Sequence, residues 1–265
     1  MPSDLELLVT AAREAGKIAR GFFKSDPKVW EKSNNAGPVT EADLAVNQML
    51  ERTLPAARPD YGWLSEETEE TEETEETEDD TSRRNKPRVF VIDPIDGTRA
   101  FIAGSDTWAH SLAVVEDGRP VAAVVYLPVL DKMYTASRDV PAKLNGQEIT
   151  VSGRTEISGA TVLAAKPNFD QHHWRGDVPD VEPAFRSSLA YRMALVAEGR
   201  FDAMLTLRPT WEWDVAAGSL LVTQAGGAVT GRHNEEPVFN NAMPQLSGMV
   251  AAGPPVHKEL IKALA

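Results

Sequence analysis

Val89-Phe90-Val91-Ile92-Asp93-Pro94-Ile95-Asp96-Gly97-Thr98 is the stretch on which the reading of this chain turns. Four apolar or β-branched residues, Val89 to Ile92, read as a buried strand. Two carboxylates follow, three residues apart. Pro94 between them fixes its own φ and donates no N–H, so the chain bends there. Asp93 and Asp96 then converge on one point beside the strand end. Two hard oxygen donors at a rigid corner suit Mg²⁺. Gly97-Thr98 opens a short helix whose free backbone N–H groups favour an anion. A metal seat joined to a phosphate seat points to phosphoryl chemistry. The same residues also have a plain reading, because Asp-Gly is a common turn and Asp-x-x-Asp a common cap or loop.

Two further acidic features favour the metal. Tyr61-Gly62-Trp63-Leu64-Ser65 reads as a short strand that ends on Glu66-Glu67. Trp211-Glu212-Trp213-Asp214-Val215-Ala216-Ala217-Gly218 leads into a helical run that closes at Gly226-Gly227. Asp214 is either the N-cap of that helix or a ligand at its positive end.

Taken together, Ser65-Glu66-Glu67, Asp93-Pro94-Ile95-Asp96-Gly97-Thr98 and Trp213-Asp214-Val215-Ala216-Ala217-Gly218 resemble the inositol monophosphatase superfamily of Mg²⁺-dependent phosphomonoesterases. The resemblance covers nearly the whole chain. It implies an α+β fold, the layered α-β-α-β-α sandwich of the inositol monophosphatase and fructose-1,6-bisphosphatase type. It implies two or three Mg²⁺ ions per site. Glu66, Asp93 and the carbonyl of Ile95 would hold the first; Asp93, Asp96 and Asp214 would hold the second. Asp43 and Thr98 match the family's water-orienting pair, Gly97 and Thr98 its phosphate seat, and Glu67 stands behind the ligands. Lys32, just before a loop over Asn34 to Pro38 that in the family closes over the site, falls where a family lysine approaches phosphate. A homodimer and Li⁺ inhibition are implied as well. Two metals about 3.5–4 Å apart can stabilise both the entering and the leaving oxygen of an in-line displacement. No histidine base is then needed, and the five histidines form no cluster with these motifs.

Asp43 carries a second reading. Thr40-Glu41-Ala42-Asp43 resembles a capping box for a helix through about Leu54. Capping and catalysis can coexist there. Lys32 is equally readable as a plain surface lysine.

Substrate signals are thinner. Pro209-Thr210-Trp211-Glu212-Trp213-Asp214 and Ser65-Glu66-Glu67 are most like the bacterial 3′(2′),5′-bisphosphate nucleotidases. Arg192 falls near a family cation for a second phosphate, with Lys166 and Arg208 in support, and Ser188 lies in a segment matching the family's substrate side. Arg192 has a plain reading too, as an exposed helix residue. The segments Arg186-Ser187-Ser188-Leu189 and Lys166-Pro167-Asn168-Phe169 depart from the nucleotidase pattern. The expected reaction is conversion of adenosine 3′,5′-bisphosphate to AMP and phosphate. The alternatives are an inositol-1-monophosphatase or another small alcohol phosphate phosphatase, histidinol phosphate included. A non-catalytic phosphate- or metal-binding module is the remote one.

Composition sets outer bounds. The 265 residues are 42% hydrophobic and lack cysteine, which excludes disulfides, thiol catalysis and cysteine-held zinc. No apolar run is long enough to span a bilayer and no signal peptide is apparent, so a cytoplasmic protein is expected. The net charge of −13 arises mostly from residues 66 to 80, which hold 11 acids and no base. This Glu-Glu-Thr repeat reads as a solvated loop over 68–86. Any of its glutamates could in principle reach the metal; Glu66 is chosen because it follows an ordered strand. Without a basic stripe, polymeric nucleic acid is not an expected partner, nor is a membrane.

The remaining elements can be placed coarsely. An amphipathic helix spans Ser3 to Phe23. Strands cover His110 to Val115, Pro120 to Tyr126, Leu130 to Ala136, Thr161 to Ala165 and Ala203 to Leu207. Helices cover Leu189 to Gly199 and His257 to Leu264. A seam near Pro141 to Gly153 divides an N-terminal α+β half, 1–145, carrying most metal ligands, from a C-terminal half, 146–265, carrying Asp214. His172-His173-Trp174 reads as a surface turn.

Overall fold

The computed structural model describes residues 2–32, 37–68 and 82–265. Most of the acidic repeat and of the Asn34 to Pro38 loop therefore lies outside the described residues.

Helix α1, Asp4–Phe22, starts at a capping box: Ser3 and Glu6 each satisfy the other's backbone N–H. Helix α2, Glu41–Ala57, starts at a second one formed by Thr40 and Asp43. A hairpin of Val29–Glu31 with Pro38–Thr40 precedes it. The first sheet runs β1 (Gly62–Ser65), β2 (Arg88–Asp96), β3 (Ala109–Glu116), β4 (Arg119–Leu127), β5 (Lys132–Ser137), β6 (Val140–Leu144) and β7 (Gln147–Glu148), in that spatial order. Only β1–β2 is parallel among its described pairs. A short helix α3, Thr98–Ile102, joins β2 to β3.

The second sheet is built from β8 (Ala160–Leu163), β9 (Val181–Ala184), β10 (Ala203–Thr206), β11 (Ala228–Thr230) and β12 (Met249–Ala252), ordered β9-β8-β10-β12-β11. Helices α4 (Leu189–Ala197), α5 (Glu212–Gln224) and α6 (Pro254–Ala263) complete the chain.

Strand alternation sorts these elements into layers. Phe90, Ile92, Leu112, Val114 and Val124 point towards Leu8, Ala12, Val46 and Leu50 of α1 and α2. Val89, Val91, Ala113 and Val125 point the other way, into α4 and α5, which also meet Leu163, Met204 and Met249 of the second sheet. The far face of that sheet packs Val162, Leu205 and Val250 on Val256 and Leu260 of α6. The result is the expected α-β-α-β-α sandwich. Both faces of β2 and β3 are covered, which explains their near-continuous apolar runs.

Several boundaries differ from the sequence reading. Strand β2 continues past Ile92 to Asp96. Strand β5 begins at Lys132 because Asp131 takes a left-handed turn conformation, φ 50°. Helix α6 begins at Pro254, with prolines filling first-turn positions that need no N–H donor. Trp174 is not in a surface turn: it is 4% exposed, donates Nε1–H to the Asn168 carbonyl and bridges to Leu264.

Candidate active site at the strand corner

The corner in β2 is a bulge rather than a strand end. Asp93 pairs with Ser111 and Asp96 with Ala109. Pro94 and Ile95 therefore face the single residue His110. Pro94 could not have donated to the ladder in any case. Gly97 then takes φ +100°, a left-handed conformation that turns the chain into α3. The outcome is that Asp93 and Asp96 converge, and the first turn of α5 brings Asp214 to meet them. Ligand oxygens of these three carboxylates lie within 4.8 Å of one another. Glu66 stands beside them at the end of β1, its N–H donated to the Ile92 carbonyl at 3.1 Å.

The electrostatics of this cluster are strained without a cation. Asp93 is 1% exposed and its Oδ1 has no hydrogen-bond partner among the described residues. Burial pushes the Asp93 carboxyl well up, and the charges of Glu66, Asp96 and Asp214 push it further. Burial, then Asp96 and Glu66, does the same to Asp214. Asp96 is raised to about 6 by burial, against the lowering effect of hydrogen bonds from Ser188 Oγ and the Ala190 N–H, each 2.6 Å. Buried, mutually repelling hard oxygens with one orphan are the donor set a divalent cation fits, since its charge reverses every one of these penalties.

Asp43 caps α2 and reaches Thr98 as well. Its Oδ2 accepts from the Thr40 N–H (2.9 Å) and hydroxyl (2.5 Å), completing the cap. Its Oδ1 accepts from Thr98 Oγ1 at 3.3 Å. Burial lifts the carboxyl to about 6. The Thr98 hydroxyl also lies 3.2 Å from the Ile95 carbonyl, so it sits between the corner and Asp43.

Lys32 is not a plain surface residue. Its Nζ donates to Glu66 at 2.8 Å and pairs with Glu67 at 2.7 Å. Burial pulls the ammonium pKa down, but those two carboxylates more than offset it and leave it above the usual lysine range. Glu67 is raised to about 7, by burial and then by Glu66.

On the α4 side, Ser188 caps the helix and bonds Asp96 with the same hydroxyl. Arg192 is 5% exposed, which rules out the exposed-helix reading. Its Nε–H donates to the Arg186 carbonyl at 2.5 Å, and its guanidinium lies 4.5 Å from the Phe185 ring centroid. Burial lowers it to about 10, while Asp96 and Asp214 hold it up. The charge of Arg208 is felt at both Arg192 and Asp214. Lys166 is exposed, on a 3₁₀ turn.

Three features escaped the sequence reading. His110 is fully buried and its Nδ1 lies 2.5 Å from the Pro94 carbonyl, so one histidine does belong to the motif. Burial lowers it to about 4. Ser111 donates its hydroxyl to the Trp213 carbonyl at 2.8 Å. Glu212 accepts from the N–H groups of Asn240 and Asn241, and Arg83 fastens the same segment from its other side. A lone histidine or serine in an apolar strand carries no spacing signal, and the Glu212 contacts are distant in sequence.

The model of the inositol monophosphatase family matches residues 3–265. The chain is 29% identical to an inositol-1-monophosphatase of Mesorhizobium japonicum, over 98% of this chain and 95% of that protein. It is 36% identical to the Nus factor SuhB of Pseudomonas aeruginosa, over 86% of each. It is 30% identical to the 3′(2′),5′-bisphosphate nucleotidase CysQ of Haemophilus influenzae, over 89% of this chain and 87% of that protein. Among solved structures, the extragenic suppressor protein suhB from Bartonella henselae superposes with a TM-score of 0.79 at 27% identity, over 97% and 96% of the two chains.

Proposed function

The chain belongs to the inositol monophosphatase family, whose members are metal-dependent phosphoric monoester hydrolases, and from that premise we propose that it is a Mg²⁺-dependent 3′(2′),5′-bisphosphate nucleotidase. The observation that carries the reading is the Asp93–Asp96–Asp214 cluster, whose ligand oxygens lie within 4.8 Å of one another, with the buried Arg192 close enough for Asp96 and Asp214 to act on its charge.

Glu66, Asp93, the Ile95 carbonyl, Asp96 and Asp214 would hold two or three Mg²⁺ ions, which when bound supply Lewis-acid stabilisation of phosphoryl charge and acidify water. The chain's own groups do the rest. Asp43 keeps the Thr98 hydroxyl oriented by accepting its proton. The Thr98 oxygen lone pairs are then free to accept from a water and aim it in line with the ester bond. Gly97 and Thr98 seat the phosphate beside the first turn of α3. Lys32, freed from Glu66, is a point charge for the phosphate oxygens. Arg192, locked by the Arg186 carbonyl, and Arg208 offer a second anion seat, which a substrate with one phosphate does not require.

The test is a ranked panel with Mg²⁺ present: adenosine 3′,5′-bisphosphate, inositol 1-phosphate and histidinol phosphate. Fastest release from the bisphosphate supports the reading. Fastest release from inositol 1-phosphate favours the second reading, to which the Mesorhizobium relative points. Binding of esters without release would make the protein a non-catalytic module. On the family resemblance we also propose a homodimer inhibited by Li⁺.

A further inference from the structure

We propose that His110 and Ser111 together form the positioning unit of the metal site, each residue fixing one of the two chain segments that supply its carboxylates. This rests on the metal-site reading above and goes beyond it, because neither side chain belongs to the ligand set.

The argument starts from the bulge. Between the pairs Asp93–Ser111 and Asp96–Ala109, two residues of β2 oppose His110 alone. The bulge interrupts the regular ladder at Pro94 and Ile95, where the register shifts. Buried carbonyls left unpaired cost about 1–3 kcal/mol each. His110 takes the Pro94 carbonyl; the Ile95 carbonyl, 3.2 Å from Thr98 Oγ1, is the one proposed above for the cation. A carbonyl can only accept, so His110 is the donor through Nδ1–H, and Nε2 is left without a partner among the described residues. The ring is wedged edge-on against Trp108, with centroids 5.5 Å apart at 77°, and lies against Tyr126. It therefore cannot swing to release the Pro94 carbonyl without disturbing the core between the sheet and α1. A buried imidazole with one unpaired nitrogen is a poor choice for packing alone.

Ser111 points to the opposite face, as strand alternation requires. There its hydroxyl holds the Trp213 carbonyl at 2.8 Å. Trp213 directly precedes Asp214 and lies in the first turn of α5. Adjacent residues of β3 thus hold the Asp93–Asp96 corner on one side and the Asp214 helix on the other. The distance between the two carboxylate sources is set by one peptide unit of a central strand. Partners of this kind commonly change metal affinity by about 10–100-fold when removed.

Mg²⁺ titration calorimetry and metal-free urea unfolding on four full-length variants test the idea. Ser111→Ala and His110→Leu remove the donors; Ser111→Thr and His110→Asn keep them. The expected result is that the first two raise the Mg²⁺ dissociation constant about tenfold or more, while the second two stay within about threefold of the parent. Loss of metal-free stability with unchanged Mg²⁺ affinity in Ser111→Ala and His110→Leu would overturn the proposal and leave a purely structural role. Should His110→Leu fail to fold, the Ser111→Ala and Ser111→Thr pair decides alone. A parent chain that does not bind Mg²⁺ would remove the metal-site reading itself, and this inference with it.

Discussion

At Asp93, stability and chemistry pull in opposite directions. The side chain is 1% exposed, one of its oxygens lacks a partner among the described residues, and Glu66, Asp96 and Asp214 crowd it. Removing its charge relieves repulsion in the metal-free protein but deletes a carboxylate proposed to hold Mg²⁺. Asp93→Asn is therefore expected to melt at a higher temperature than the parent without metal. It should also lose the rise in melting temperature on Mg²⁺ addition, and turnover should fall by roughly 10³-fold or more. Scanning calorimetry with and without Mg²⁺, beside a phosphate-release assay, checks all three; a lower metal-free melting temperature would mean the carboxylate is mainly structural. Thr98→Ala should lower kcat by roughly 10²-fold with little change in KM, since the side-chain hydroxyl is assigned to the attacking water and the backbone N–H that seats the phosphate is kept. His110 gives a pH signature. Its pKa is lowered to about 4 in the fold by burial, against about 6.5 in an unfolded chain. Between those values the unfolded chain binds the extra proton, so stability is lost as pH falls from 6.5 towards 4. His110→Asn cannot titrate there. Between pH 7 and pH 5 it should lose about 2 kcal/mol less stability than the parent in metal-free urea titrations; equal losses would show that the imidazole is not held neutral. The acidic cluster was legible in the sequence because the chemistry of Asp93, Asp96 and Asp214 is written in residue type and spacing. His110 and Ser111 were not, because their meaning depends on which residues the neighbouring strand places opposite them.

The elements that carry these residues are held apart and together by a few close approaches. Helices α4 and α5 supply Ser188 and Ala190 on one side of Asp96 and Asp214 on the other. They meet where Gly218 lies under Met193, with a Cβ at Gly218 coming 2.6 Å from Met193 Cβ. Replacing a helical glycine by alanine normally stabilises a helix by roughly 1 kcal/mol. Gly218→Ala should do the reverse and cost about 1–3 kcal/mol in urea unfolding, because the helices must part. The same shift moves Asp214 relative to Asp96, so Mg²⁺ affinity should fall as well. A neutral or stabilising outcome would show that the α4–α5 interface has slack. Element identity was legible here, since Leu189 to Gly199 and the run after Asp214 have helical length and composition. Boundaries were less so: β2 passes its proline only because a bulge and the His110 ring take up the Pro94 carbonyl, which no local rule predicts.

On the scale of the whole molecule, one core couples the two sheets: Leu163, Met204 and Met249 of the second join Val89, Val91 and Val125 of the first around α4 and α5. That five-layer order was not readable from periodicity, because pairing such as β12 between β10 and β11 depends on contacts far apart in sequence; it entered through the resemblance of three short motifs. The charge of the chain obeys a different logic. Most of the net −13 comes from residues 66 to 80, and outside them acids and bases nearly balance. Glu66 does not need the repeat to stay in place, since β1 pairs with β2 through Ser65–Ile92 and the Glu66 N–H is tied to the Ile92 carbonyl. On the far side, Arg83 is fastened to Asn240 and Asn241. Shortening a connection between two anchored ends changes closure entropy only slightly, and charges beyond about 8 Å are screened at physiological ionic strength. Deleting residues 69 to 80 should therefore leave kcat within about twofold and the Mg²⁺ response intact, while the isoelectric point rises. A drop in kcat beyond about tenfold, measured with Mg²⁺ in excess, would mean that glutamates of the repeat reach the metal cluster and that Glu66 is not its only supply of carboxylate from this segment.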